Sequence, residues 1–248
     1  MPEIEIHNLT KSFGHLLAVN NLNLEIAKGT IFGFLGPNGS GKSTTVKMLT
    51  GLLKPDNGDA LIGGFSILRS PIEVKKRIGV LPENLALFES ITIWEHLIMA
   101  GTVYELAPPE IEKRAEQLLN YLDLFAHRHT YVDQASTGMR KKCALAMALI
   151  HNPQLLFLDE PFEGIDPVSA RSIKDLLQLM ASKGGTVFVT SHILEVVERL
   201  VESFAILVNG EVVCAQTVEQ VADAGQTLEE LFFKYVGRRT VQKLEWIG

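Results

Sequence analysis

A chain of 248 residues, 46% apolar and 21% charged, has material for one large α/β domain or two small ones with a sizeable core. Its net charge of −6 argues against a sequence-independent hold on nucleic acid, which needs concentrated Lys and Arg. The start, MPEIEIHNLTKSF, lacks the basic and apolar regions of a signal peptide, and no run of about 18 uncharged apolar residues would cross a membrane, so the expectation is a cytosolic protein.

Ile4 and Ile6 alternate with acidic residues, and Leu22, Leu24 and Ile26 with polar ones, which predicts half-buried strands in a small N-terminal antiparallel sheet. Ile31 to Leu35 form a short apolar run suited to a strand buried on both faces. The loop Gly36-Pro37-Asn38-Gly39-Ser40-Gly41-Lys42-Ser43 follows, then a helix through Thr44 to Leu49 that stops near Gly51, with Pro55 just beyond. This is GxxxxGK[ST] in its required context, strand before and helix after. The glycines let the backbone curl so that its N–H groups point at phosphates, and the helix N-terminus adds a favourable dipole. Lys42 would reach the β- and γ-phosphates of ATP, Ser43 would offer a hydroxyl to Mg²⁺, and Thr44 is placed to donate to the α-phosphate.

From about Ile91 to Leu149 the pattern is helical. Thr92 and Glu95 form a capping box ahead of Leu97 and Ile98. Pro108 and Pro109 precede a helix that places Ile111, Ala115, Leu118, Leu119 and Leu122 on one face. A third helix begins near Ser136 and carries Cys143 to Ile150. Cys143 and Cys214, with no CxxC and no clustered His, read as buried small hydrophobes in a reducing compartment.

The parallel-sheet pattern then returns. Leu155 to Leu158 form a buried strand that ends on Asp159-Glu160, and ligands of open α/β sheets bind at strand carboxyl ends. There an Asp can hold Mg²⁺ through water, and the adjacent Glu can polarise an attacking water, although an acidic turn alone has the same pattern. The helix after Asp166-Pro167 ends at Gly184-Gly185, and Thr186 to Thr190 form another strand, with His192 after it. A lone His is more often structural than catalytic, yet this one is placed to meet a γ-phosphate. Residues 206–213 read as a hairpin turning at Asn209-Gly210. No repeat or low-complexity linker divides the chain. The expectation is a single domain over residues 1–248, a P-loop NTPase whose α/β core carries a helical insert at about 85–149.

With these motifs in order, the sequence resembles the ATP-binding subunits of ABC transporters from about Ile4 to Gly237. The resemblance makes Asp159-Glu160 the Walker B pair with its catalytic glutamate, Asp166 the D-loop aspartate, and His192 the switch histidine. Phe13 stands where the family has an aromatic that stacks on adenine, most often Tyr. The signature LSGGQ is altered to Ala135-Ser136-Thr137-Gly138-Met139. Its Ser136 and Gly138 are implied to meet the γ-phosphate of ATP held by a facing subunit, and Arg140-Lys141-Lys142 is then read as helix-surface charge. Glu83 replaces the family's usual Gln beside Mg²⁺. An ionised Glu is the stronger ligand but cannot donate a hydrogen bond. Glu83, the Ser136–Met139 variant and the tail Thr227 to Phe232 resemble the drug, lipid and polysaccharide export branch. The resemblance thus implies catalytic Lys42, Glu160 and His192, a metal held at Ser43, Glu83 and Asp159, and ATP with Mg²⁺. It also implies a homodimer or heterodimer of such subunits, peripherally attached to the inner face of the membrane through a separate transmembrane permease. A soluble ABC ATPase of cluster assembly, or a nucleotide-binding regulator, are the rival readings.

Overall fold

The computed structural model describes residues 2–237; Met1 and residues 238–248, which the expected domain included, lie outside the described part. β1 (Pro2–Phe13) and β2 (Leu16–Ala27) pair antiparallel, and β3 (Ile31–Leu35) runs through the phosphate-loop motif into α1 (Lys42–Leu49). β4 (Asn57–Ile62) and β5 (Phe65–Ser66) complete the first sheet, ordered β2-β1-β4-β5. α2 (Pro71–Arg77) leads into β6 (Ile78–Leu81). The helical insert follows as α3 (Ile93–Val103), α4 (Pro108–Tyr121) and α5 (Thr137–Leu149). β7 (Leu155–Asp159), α6 (Pro167–Ser182), β8 (Thr186–Ser191), α7 (Leu194–Glu198), β9 (Ser203–Val208), β10 (Glu211–Thr217), α8 (Val218–Asp223) and α9 (Leu228–Val236) close the described chain.

The second sheet is ordered β10-β9-β3-β8-β7-β6; β9, β3, β8, β7 and β6 are parallel and β10 is an antiparallel edge. Its central strands β3, β7 and β8 are buried on both faces, and the period of two sorts their side chains into two cores. Leu155 and Phe157 face the first sheet, α1 and α2; Leu156 and Leu158 face the helices. Phe32, Phe34 and Phe157 all pack on Phe188, with ring centroids 5.3–5.6 Å apart. Each such fully buried side chain contributes about 1.5–3 kcal/mol.

Local signals act as expected. The Thr92 hydroxyl accepts from Glu95 N–H at 3.2 Å, and the Glu95 carboxylate accepts from Thr92 N–H at 2.7 Å, which holds that carboxyl below its ordinary pKa. Ile111, Ala115, Leu119 and Leu122 are buried under α4 as its periodicity predicts. Asn209 and Gly210 take φ of 49° and 82°, the mirror-image turn that suits a two-residue hairpin. Both cysteines are buried and free, and burial pushes the Cys143 thiol up to about 12. His151 caps the end of the insert: its ring stacks on Tyr104 at 3.6 Å, and its Nε2 lies 3.0 Å from the Ile78 carbonyl. At Gly79 the edge strand β6 touches α5 directly, and a Cβ there would stand 2.2 Å from the Ala148 carbonyl oxygen. Any side chain at 79 would drive the helix off the sheet.

Candidate active site

Parallel strands bring their carboxyl ends to one rim, and β3, β8 and β7 are neighbours there. β3 delivers the phosphate loop, β7 delivers Asp159 and Glu160, and β8 delivers Ser191 and then His192. Lys42, Asp159 and Glu160 are buried, between 4% and 7% exposed. Thus residues separated by more than a hundred positions in the chain share one small volume.

The loop turns through Gly39 and Gly41, whose φ values are 80° and 108°. At Gly41 a Cβ would stand 2.3 Å from the Ala18 carbonyl oxygen, so both the conformation and the space demand glycine. Asn38 and Gly39 are exposed at the tip, while Ser43 and Thr44 are half-buried in the first turn of α1. Lys42 Nζ donates to the Gly36 carbonyl at 2.8 Å and to that of Pro37 at 3.3 Å, and lies 3.7 Å from Glu160 Oε1. The Ser40 hydroxyl is buried and has no partner among the described residues, although the loop curls around it.

Asp159 and Glu160 are held through Thr190, which faces Asp159 across the β7–β8 ladder and is fully buried. The Thr190 hydroxyl donates to Asp159 Oδ1 at 2.5 Å and accepts from Glu160 N–H at 3.1 Å. Glu160 leaves the strand with φ of 49°, a left-handed conformation uncommon for a residue with a Cβ. Its carboxylate then points to His192: Oε2 lies 3.0 Å from His192 Nδ1 and accepts from its backbone N–H at 3.4 Å. A carboxylate set between a lysine and a histidine at the mouth of a phosphate loop can orient a water toward a phosphoryl group.

Of the other expected site residues, Phe13, Glu83, Ser136 and Asp166 are exposed and Gly138 is half-buried. Phe13, at the end of β1, is 50% exposed, a free face for a base to stack on, with Lys11 Nζ 5.8 Å from its ring. Glu83 is exposed just past β6. Ser136 caps α5 by accepting from Met139 N–H at 3.2 Å. Asp166 caps α6, accepting from Val168 and Ser169 N–H at 3.0 and 2.9 Å, and the Ser169 hydrogen bonds hold its carboxyl below the usual range. The nearest atoms to a Cβ built on Gly138 are Asp166 Oδ2 at 3.8 Å and Ser136 Oγ at 4.0 Å. The structure therefore sets Ser136, Gly138 and Asp166 side by side, at two exposed helix starts.

Two residues escaped the sequence reading. Thr190 stood next to the expected His192 without a role; its only signal was a polar residue ending a buried strand. The second is a correction. Arg140-Lys141-Lys142 was expected to be helix-surface charge, but Lys141 and Lys142 are buried, and Arg140 donates to the carbonyls of Ala135 and Asp133. The cause is the position of α5, which packs against α3, α4 and β6 together and has little free surface. Lys141 Nζ donates to the Glu160 carbonyl at 2.9 Å and also to that of Glu163.

A P-loop on a parallel sheet, a strand-borne Asp-Glu pair and a helical insert define an ATP-binding cassette. Residues 19–163 match the model of the ABC transporter family. The chain is 35% identical over 230 residues to the linearmycin resistance ATP-binding protein of Bacillus subtilis, covering 92% of this chain and 74% of that one. It is 36% identical over 207 residues to the Nod factor export ATP-binding protein I of a Rhizobium species, covering 84% and 68%. Among solved structures, a dimeric ATP-binding cassette in a post-hydrolysis state with ADP and Pi superposes with a TM-score of 0.80 at 27% identity, covering 87% of this chain and 98% of that one. The chain belongs to the ABC transporter family, and within it to the ATP-binding, ATP-hydrolysing subunits.

Proposed function

We propose that this subunit hydrolyses ATP to drive export through a separate transmembrane partner, with Glu160 as the residue that activates the attacking water. The observation that carries this reading is the Glu160 carboxylate, held 3.0 Å from His192 Nδ1 and 3.7 Å from Lys42 Nζ at the mouth of the phosphate loop. Lys42 offsets charge on the transferring phosphoryl, His192 holds the γ-phosphate, and Gly36, Asn38, Gly39, Ser40, Gly41, Ser43 and Thr44 cradle the rest. Phe13 stacks on the base.

Ser43, Asp159 and Glu83 offer a hydroxyl and carboxylates, hard oxygen donors that suit Mg²⁺. Among the described residues no cluster of three or more His, Cys, Asp or Glu could hold a metal. Such a set fits a cation that brings phosphate oxygens and waters to complete its shell. Bound there, Mg²⁺ would neutralise charge on the β- and γ-phosphates.

Two copies, or this chain and a related one, close each site between a phosphate loop and a facing Ser136–Gly138 segment. Gly138 supports this reading. In the first turn of α5 its own chain leaves room for a Cβ, the nearest atom standing 3.8 Å away. That open space lets a facing phosphate approach the helix start closely. Among the described residues no helix is long and apolar enough to cross a membrane, so the translocation path is assigned to the partner. Through that partner the subunit is held at the inner face of the membrane. The relatives act in antibiotic resistance and Nod factor export, which favours export over cluster assembly.

The test is Glu160→Gln. It should bind ATP as the wild type does and form an ATP-dependent dimer by light scattering, while phosphate release falls at least about a hundredfold. Wild-type turnover would remove Glu160 from its role. Co-sedimentation with membranes only when an integral membrane partner is co-expressed would separate transport from a soluble process.

A further inference from the structure

Lys141 sits just past the first turn of α5 and is only 9% exposed. An ammonium removed from water is costly unless its donors are met. Here they are met by main-chain oxygens: Nζ donates to the carbonyl of Glu160 at 2.9 Å and to the carbonyl of Glu163. Burial lowers the Lys141 pKa, and the charges of Glu163, Glu160 and Glu83 oppose that shift.

Those two carbonyls are the ends of the turn that follows β7, and Glu163 N–H points back to the Glu160 carbonyl at 3.4 Å. The same turn carries the left-handed φ of 49° at Glu160. In that conformation the Cβ crowds the following carbonyl, so the chain would relax toward the ordinary regions unless something gripped it. The N–H of Glu160 is fixed by Thr190 and its carbonyl by Lys141, one on each side of the Cα that bears the carboxylate.

We infer that Lys141 is a positioning residue for Glu160: from the helix that begins at Ser136, its ammonium holds the catalytic turn in the one geometry that aims the carboxylate at the phosphoryl group. This rests on the assignment of Glu160 made above. It also ties α5 to the catalytic turn of the same chain, so contact at the Ser136 end is mechanically linked to the alignment of Glu160.

Lys141→Met removes the ammonium and keeps the length of the stem. The expected result is a fall in kcat of about 10- to 100-fold with KM for ATP and equilibrium ATP affinity within about twofold. The decisive readout is non-additivity. In a Glu160→Gln background, Lys141→Met should slow turnover no further, because its effect passes through the carboxylate already removed. Lys141→Leu, which likewise carries no donor, is read in the same way and stands in should the Met variant fail to fold. Wild-type kcat in whichever of these variants folds would overturn the inference, as would a further multiplicative loss in the double variant. Wild-type turnover in Glu160→Gln itself would instead overturn the assignment of Glu160, so the two failures are distinguishable.

Discussion

Replacing Thr190 by Val tests the wiring behind both acidic residues, because it keeps the shape of the side chain and removes one buried oxygen. That oxygen donates to Asp159 Oδ1 at 2.5 Å and accepts from Glu160 N–H at 3.1 Å. Losing the hydrogen bond to the carboxylate costs about 1.5–3 kcal/mol, and a buried N–H left without an acceptor costs about 1–3 kcal/mol. One additional buried methyl returns only about 0.8 kcal/mol. The variant should therefore be less stable by about 2–5 kcal/mol, a drop in Tm on the order of 10 °C for a domain of this size. Guanidinium denaturation of the nucleotide-free protein, followed by circular dichroism beside a thermal melt, measures it. Turnover should fall as well, since the variant frees both Asp159 and the turn at Glu160. A stability change below about 0.5 kcal/mol, within the range of ordinary surface substitutions, would refute the bridging role of the hydroxyl.

Ser136→Ala removes the cap on α5 and should cost about 1 kcal/mol. ATP binding to the monomer should be unchanged, and ATP-driven dimerisation of the Glu160→Gln protein should weaken in light scattering; an unaltered dimer would take Ser136 out of the facing wall. His151 gives a pH dependence. Burial holds its imidazole below the ordinary value of about 6.5, so above that pH neither state is protonated and the group adds nothing. Below it the unfolded chain takes up a proton that the folded chain resists, and stability falls as pH drops through the folded pKa. His151→Gln, which keeps a donor toward the Ile78 carbonyl, should lose less stability between about pH 7 and pH 5.5 than the wild type. Equal losses in urea denaturation would show that the imidazole is not the group responsible.

What could be read from the sequence was what local spacing encodes. The phosphate loop, the Thr92–Glu95 capping box, the α4 face and the Asn209-Gly210 turn each need no more than about a dozen consecutive residues, and each is where its spacing placed it. Of the first sheet, β1 and β2 followed from the same logic. The short β5 and the four-residue β6 gave no comparable period, and they exist because β4 and β7 supply partners for them. In the site, Lys42, Asp159, Glu160 and His192 could be named because each ends or follows an apolar strand. Thr190 could not, since its role depends on the register that sets it opposite Asp159. Lys141 was misread for a related reason. A basic triplet on a helix is normally a solvated face, and only the packing of α3, α4 and β6 around α5 turns two of its members inward.

The backbone contact of Gly79 with Ala148 gives the helical insert a fulcrum. From Ala148 back to Ser136 the helix extends about 18 Å, twelve residues at about 1.5 Å each. A swing of about 10° at that point would carry Ser136 through about 3 Å and Lys141, some 10 Å out, through about 2 Å. The first displacement is enough to make or lose contact with a phosphate; the second is enough to unhook an ammonium from a carbonyl. Lever arm and catch would then lie on one helix, so the insert could not tilt far without loosening its own catalytic turn.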